Sequence, residues 1–294
     1  MGKIKSLKNQ IHTSLSKLTR FGCSKEVSRL IHGTHNPPYI YSVRTYDNYL
    51  HNCYTYADWV KANHPDCKKL DDAKQYVPEY LNYCKDKNLS AWTIRAYASA
   101  LAKLYRCKST DFAVDYPERR RADIKRDRIA PDKETIEKNK DIIDFCTGTG
   151  LRAHELGMVR PKDIYKSADG YLYIHVEKGK GGKKREAQVL KEFEPVVVRL
   201  ASAKKHDEKI FRNVPNDSEL HFFRALYATK LYARIARKKK DITSKKERYV
   251  MRRDRSGIVL DRMAMLFVSK QLGHARENVI ATSYLDIDSL AEFQ

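Results

Sequence analysis

Residues 134–159, ETIEKNKDIIDFCTGTGLRAHELGMV, read as a helix, a glycine turn over 147–150 and a second helix starting near Arg152. Downstream, YLYIHV (171–176) alternates Leu172, Ile174 and Val176 with Tyr171, Tyr173 and His175, which predicts a half-buried strand. The turn 179–182 follows, then REAQVL as the returning strand, and from residue 219 ELHFFRALYATKLYARIAR is helical.

Upstream, the first 110 residues predict helices throughout. Leu7, Ile11, Leu15 and Leu18 share one face, and Tyr46, Leu50, Cys53, Ala57 and Val60 share another. A third stretch sets Ala73, Val77, Tyr80, Leu81 and Cys84 together; a fourth opens on the N-cap Ser90 and carries Ile94, Tyr97, Leu101 and Leu104. The segment 107–135 is polar, broken by Pro117 and Pro131, and rich in arginine, so it reads as a linker. The expected fold class is therefore mainly α with a small β-sheet and hairpins. A helical bundle covers 1–112, a basic linker 113–135, and an α+β domain 136–294.

The 58 Lys and Arg against 37 Asp and Glu leave a formal charge of +21, which suits a polyanionic partner through counterion release. The opening MGKIKSLKNQ has no apolar run behind its charges, so no signal peptide is expected, and no stretch is long and apolar enough to span a bilayer. The six cysteines form no CxxC pair, so reduced buried thiols are expected, with neither a metal site nor a disulfide framework. A cytoplasmic protein that associates with nucleic acid is expected, with no cofactor and no membrane partner.

Five short signals carry chemistry: Arg152 and Glu155 in TGLRAHEL, Lys180 in KGKGGKKR, His221 and Arg224 in HFFR, His274 in QLGH, and Tyr284 in TSYLD. Two arginines suit clamping a phosphate, because a planar guanidinium grips two oxygens at once. A lysine on a glycine-rich turn suits proton donation, and Lys178, Lys183 and Lys184 are neighbours able to substitute for Lys180. Histidines can hydrogen-bond a phosphate or accept a tyrosine proton. A tyrosine nucleophile forms an ester that conserves the bond energy for religation. Tyr227 and Tyr249 are weaker nucleophile candidates.

In this order, these motifs resemble the tyrosine recombinase (phage integrase) family over most of the chain. TGLRAHEL is similar to its first arginine box, GKGGKKR to its β-hairpin lysine motif, HFFRALYAT to its H-x-x-R box, and LGH and Tyr284 to its last two positions. SAWTIRAYASALAKLY resembles its helical core-type DNA-binding domain. The resemblance implies cleavage and rejoining of DNA through a 3′-phosphotyrosine and a Holliday junction. It also implies a homotetramer on double-stranded DNA with paired core sites, with accessory directionality or host DNA-bending factors. It favours a prokaryotic mobile-element integrase. Relaxation of DNA in the manner of a type IB topoisomerase and an inactive architectural role are the alternatives.

The sequence departs from the family pattern in three places. Ala225 stands where a second histidine is common, Tyr284 lies one residue further from His274 than usual, and Arg224 and His274 are 50 residues apart. The surplus, 236–262, predicts a β-hairpin around RDRSG, with eleven Lys or Arg and three acidic residues between Arg234 and Arg255. The expected DNA-binding residues are Arg95, Arg119, Arg120, Arg121, Lys125, Arg126, Lys245, Lys246, Arg248, Arg252 and Arg253. After Tyr284, Leu285, Ile287, Leu290 and Phe293 predict a short helix with an apolar face, docked on a neighbouring protomer or on its own domain.

Overall fold

Serine and aspartate side chains start many of the helices. Ser6, Ser24, Ser42, Ser90 and Asp132 each accept a hydrogen bond from the backbone N–H three residues on, satisfying a donor that the first helical turn leaves unpaired. A computed structural model describes residues 4–34, 36–120, 130–179, 182, 184–215, 219–252 and 255–293. The chain divides into two compact units, Met1–Arg119 and Arg120–Gln294.

The first unit contains α1 (Leu7–Ser16), α2 (Lys25–Ile31), α3 (Val43–Asn63), α4 (Leu70–Ala73), α5 (Val77–Asp86) and α6 (Ala91–Leu104). The expected apolar faces form its core: Ile11, Leu15, Leu18, Cys53, Ala57, Val60, Ala73, Val77, Tyr80, Leu81, Cys84, Ile94, Leu101 and Leu104 are buried. Burying a large aliphatic or aromatic side chain of this kind contributes about 1.5–3 kcal/mol. The single helix expected over 73–84 splits into α4 and α5 around a 3₁₀ turn, because Pro78 lacks the N–H that a continuous helix needs there. The sequence pattern missed α2, whose Val27, Leu30 and Ile31 are exposed and so leave no buried stripe. Beyond residue 112 the chain stays packed where a linker was expected. Phe112 is buried, Val114 and Tyr116 pack on the same core, and the Tyr116 hydroxyl donates to the Ser109 carbonyl at 2.8 Å.

The second unit begins with α7 (Lys133–Lys138), α8 (Lys140–Thr149) and α9 (Ala153–Leu156). A sheet follows, β1 (Ile164–Lys166), β2 (Leu172–Val176) and β3 (Arg185–Gln188), antiparallel in the order β1-β2-β3 with Ile174 opposite both Ile164 and Ala187. As expected, Leu172, Ile174 and Val176 point into the core. Then come α10 (Glu194–Ser202), α11 (Leu220–Ile235), the hairpin β4 (Arg248–Val250) and β5 (Val259–Asp261), α12 (Arg262–Gln271) and α13 (Asn278–Ser283). The glycine turn expected over 147–150 narrows to Gly150, since α8 continues through Gly148 to Thr149. Of the cysteines, Cys53, Cys84 and Cys146 are buried as expected, but Cys67 and Cys107 are half-buried and Cys23 is exposed.

The basic insertion forms the expected hairpin, and the hairpin is part of the core. Met251, Val259 and Leu260 are buried, and Asp261 caps α12 by accepting from the N–H groups of Met263 and Ala264. The same carboxylate takes a fork from Arg237, at 2.7 and 2.9 Å. The segment after Tyr284 forms a 3₁₀ turn, Asp288–Phe293, and packs on its own unit. Leu285, Ile287 and Leu290 are buried in one cluster with Tyr227, Leu231 and Val268, so these three positions of the apolar face are covered in cis, and the Phe293 side chain lies outside what the structure describes.

Candidate active site

The C-terminal end of α12 organises the site. A helix leaves its last carbonyls without intrahelical partners and with partial negative charge. Here three guanidinium groups supply the missing donors. Arg185 Nε donates to the Gln271 carbonyl at 2.8 Å, while Arg152 Nη2 and Arg224 Nη2 both donate to the Leu272 carbonyl, at 3.0 and 2.6 Å. Gly273 then takes a left-handed conformation (φ +68°), with its N–H bonded to the Lys270 carbonyl and that of His274 to the Ser269 carbonyl. This closing motif turns His274 back toward the arginines.

Each arginine comes from a different element. Arg152 is the N-cap residue of α9, directly after the turn at Gly150. Gly150 has φ +62°, and a Cβ there would lie 2.3 Å from the Tyr227 ring, so this position admits only glycine. Its carbonyl in turn accepts from Arg224 Nη1. Arg224 sits on α11, 2% exposed, and burial pulls its guanidinium below the ordinary arginine value. Arg185 opens β3.

Glu155 ties two of them together. Its Oε1 accepts from Arg152 Nη1 at 2.9 Å and Arg185 Nη1 at 2.7 Å, and its Oε2 from the Arg152 N–H at 2.8 Å and Arg185 Nη2 at 2.7 Å. Burial alone would raise its carboxyl pKa, but these bonds and the two positive charges outweigh it and hold the group down at about 2.

Tyr284 completes the arrangement. It caps the end of α13, and its hydroxyl lies 3.0 Å from His274 Nε2 and 3.4 Å from Arg224 Nε. The His221 ring stacks on the Tyr284 ring at 5.5 Å between centroids, and the Arg224 guanidinium lies 5.4 Å from the same centroid. Thr229 of α11 holds the backbone on both sides, donating to the Tyr284 carbonyl at 3.5 Å and accepting from the Asp286 N–H at 3.0 Å. A cavity of about 260 Å³ adjoins the cluster, with Arg152, Lys184, Arg185, Lys270 and His274 in its wall and, among the described residues, no carboxylate.

Thus Arg152, Glu155, His221, Arg224, His274 and Tyr284, scattered over 133 positions of sequence, meet in one place, whereas Lys180 lies outside the described residues. Lys178 is exposed, and Lys184 pairs with Glu177 at 2.6 Å. Tyr227 is buried and donates to the Gln188 carbonyl at 2.7 Å, a structural role, and Tyr249 pairs in the β4–β5 hairpin. Sequence reasoning missed Arg185, hidden as the last cation of KGKGGKKR, and Gln271, whose side-chain oxygen accepts from the Gln188 N–H at 2.7 Å. The signal was available: the returning strand REAQVL opens on Arg185, and a strand fixes the direction of its side chains.

The expected DNA-binding residues divide. Arg119, Arg120, Lys245, Lys246 and Arg252 are exposed. Arg95 lies 4.1 Å from the centroid of the Tyr116 ring, and Arg248 turns inward, donating through Nε and Nη2 to the Ile242 carbonyl at 2.9 and 2.5 Å. Arg121, Lys125, Arg126 and Arg253 lie outside the described residues. Among the described residues, no group of three or more His, Cys, Asp or Glu is placed to hold a metal ion, and no helix is long and apolar enough to cross a membrane.

No protein-family model and no curated protein matches the sequence. Among solved structures, the XerH site-specific recombinase bound to palindromic difH substrate in a post-cleavage complex matches with a TM-score of 0.53 and 16% identity, over 97% of this chain and 86% of that one. The fold is that of a site-specific recombinase. The Tn1549 transposon integrase in complex with transposon right end DNA also matches, at 13% identity and a TM-score of 0.46, over 98% of each chain. The polar cluster is built on α9 and its N-cap, the start of β3, one face of α11 and the ends of α12 and α13.

Proposed function

We propose that the protein is a tyrosine-type site-specific recombinase that cuts and rejoins DNA through Tyr284. The observation that carries this reading is the Tyr284 hydroxyl held between His274 Nε2 at 3.0 Å and Arg224 Nε at 3.4 Å, with Arg152 bonded to the same Leu272 carbonyl as Arg224. A tyrosine that served packing alone would have no use for two cationic or proton-accepting neighbours and a cation-lined cavity.

In this mechanism Arg152 and Arg224 bind the non-bridging oxygens of the scissile phosphate and stabilise the charge that grows there. His274 accepts the phenolic proton, or hydrogen-bonds the phosphate once Tyr284 is engaged, and His221 supports the ring from the other side. The Tyr284 oxygen attacks phosphorus, the bond to the 5′ oxygen breaks, and that oxygen leaves with a proton supplied by Lys180, or by Lys178. The products are a 3′-phosphotyrosine and a free 5′ hydroxyl, and attack by the 5′ hydroxyl of a second strand reverses the step. The bond is conserved, so religation needs no nucleotide.

Recombination by this route needs paired core sites on double-stranded DNA, a Holliday junction and a homotetramer. Integration or excision of a mobile element is the role that fits the basic insertion, whose exposed Lys245, Lys246 and Arg252 would contact DNA backbone with Arg119 and Arg120. The first unit would then serve as the core-type DNA-binding domain. Nicked suicide duplexes covering the ends of the encoding element test the chemistry. A covalent protein–DNA adduct that survives denaturation in wild type and disappears in Tyr284→Phe supports it. An adduct in both moves the nucleophile elsewhere, and tight specific binding without adduct favours an architectural role.

A further inference from the structure

The recombinase reading assigns roles to Arg152 and Arg224 and none to Arg185, although Arg185 is as firmly built into the cluster as either. Its side chain is 8% exposed, forks onto Glu155 with two bonds of 2.7 Å, and is braced by the Gln271 carbonyl at 2.8 Å. Its Cδ lies against Gly273, where a Cβ would come within 2.9 Å. That is a costly arrangement for a surface cation, and the charge count explains what it achieves. Arg152 and Glu155 alone make a neutral ion pair, and a phosphate arriving beside Arg152 would meet that guanidinium with its charge offset by the carboxylate 2.9 Å behind it. With Arg185 the group carries one net positive charge, and all four hydrogen bonds that Glu155 accepts are filled, two by each arginine. Arg152 and Arg185 both reach the wall of the 260 Å³ cavity, but Glu155 does not.

On the basis of the recombinase reading, we infer that Arg185 is a positioning residue for the phosphate clamp: by sharing the Glu155 carboxylate with Arg152, it leaves Arg152 oriented and net cationic toward an anion in the adjoining cavity. Glu155 holds Arg152 in place, and Arg185 cancels the charge penalty of that support. Arg185 acts through Glu155 and need not touch DNA.

This makes an unusual prediction, that a second mutation repairs the first. Arg185→Gln leaves a neutral Arg152–Glu155 pair, and Arg185→Gln combined with Glu155→Gln restores one net charge. The assay is single-turnover formation of the Tyr284 adduct at saturating protein, on a nicked duplex recovered by covalent capture on wild type from a randomised pool. Arg185→Gln should slow adduct formation on the order of 100-fold with gel-shift affinity changed less than about threefold, since one phosphate of many is affected. The double variant should recover at least about tenfold of that loss, and Arg185→Lys, which keeps the charge without the fork, should stay within about tenfold of wild type. Melting temperatures establish that each variant is folded at the assay temperature.

A purely structural Arg185 predicts the opposite: the double variant no faster than Arg185→Gln, and Arg185→Lys as slow as it. Either result overturns the inference while leaving the recombinase reading intact. If Arg185→Gln does not fold, Arg185→Lys alone decides, because a loss of 100-fold in that folded variant excludes a charge role. Failure of wild type to capture any duplex overturns the recombinase reading and this inference together.

Discussion

Among the described residues, and leaving aromatic and cysteine side chains apart, Ser28 is the one buried polar residue in Met1–Arg119, whereas Arg120–Gln294 buries Thr147, Thr149, Glu155, Gln188, Arg224, Thr229, Asp261, Ser269 and Gln271. The first unit spends its interior on apolar and aromatic contact: Tyr56, Trp59 and Tyr80 pack with ring centroids 5.1 to 6.4 Å apart. Burial pushes the Tyr56 and Tyr80 hydroxyls above the ordinary tyrosine value, which disfavours their phenolate forms. The second unit holds a carboxylate and a guanidinium at 3% and 2% exposure, which a fold tolerates only where every charge is matched by partners. The difference teaches where to look for chemistry: Asp261, a buried charge matched by one arginine and a helix N-terminus, is structural, whereas the buried Glu155 and Arg224 belong to a cluster of several charges beside a cavity.

The same Tyr→Phe change breaks or sharpens this contrast most strongly. At Tyr284 it should remove adduct formation, a loss on the order of 10⁴-fold or more, while circular dichroism and melting stay near wild type. At Tyr56 it should leave adduct formation untouched. Next in size is Leu81→Ala in the core of the first unit, expected to cost about 2–5 kcal/mol in urea unfolding with no change in the cleavage rate of the folded protein. A slowed chemical step in folded Leu81→Ala would show that the scaffold unit is coupled to the chemistry.

Acid should find the second unit. The Glu155 pKa is held at about 2 in the folded chain against an ordinary 4.5, so its contribution is fully present above about pH 4.5 and is lost as pH falls toward 2. The shift corresponds to about 3 kcal/mol. Urea midpoints followed from pH 5 to 2.5 should therefore fall more steeply in wild type than in Glu155→Gln; parallel slopes would mean the carboxylate is not specially stabilised. The smallest expected effect is Tyr56→Phe on stability, about 1 kcal/mol for the lost bond to the Ala73 carbonyl, read from the same unfolding curves.

Much of this was legible in the sequence because it is local. Apolar spacing of three and four residues foretold α1, α3, α5 and α6, alternation foretold β2, and capping residues such as Ser90 marked helix starts. The ordered motifs single out Arg152, Glu155, His221, Arg224, His274 and Tyr284 as candidates. Where local signals misled, a neighbour in space was the reason. Phe112, Val114 and Tyr116 stand among charged residues and read as linker, yet find the first unit's core. The insertion's hairpin was legible, but its charge hid its place in the core: Met251, Val259 and Leu260 bury it and Asp261 makes it the cap of α12.

The sequence by itself determined which residue types are available, their order along the chain and the helices and strands that carry them, because these follow from backbone propensity and side-chain periodicity. Only the tertiary structure decided that three arginines from α9, β3 and α11 converge on the last carbonyls of α12, that Arg185 shares Glu155 with Arg152, and that the segment after Tyr284 packs on its own unit. Those are contacts between residues up to 120 positions apart. No local propensity specifies them, since they arise from the way separate elements satisfy one another's unpaired donors, acceptors and charges once they are packed.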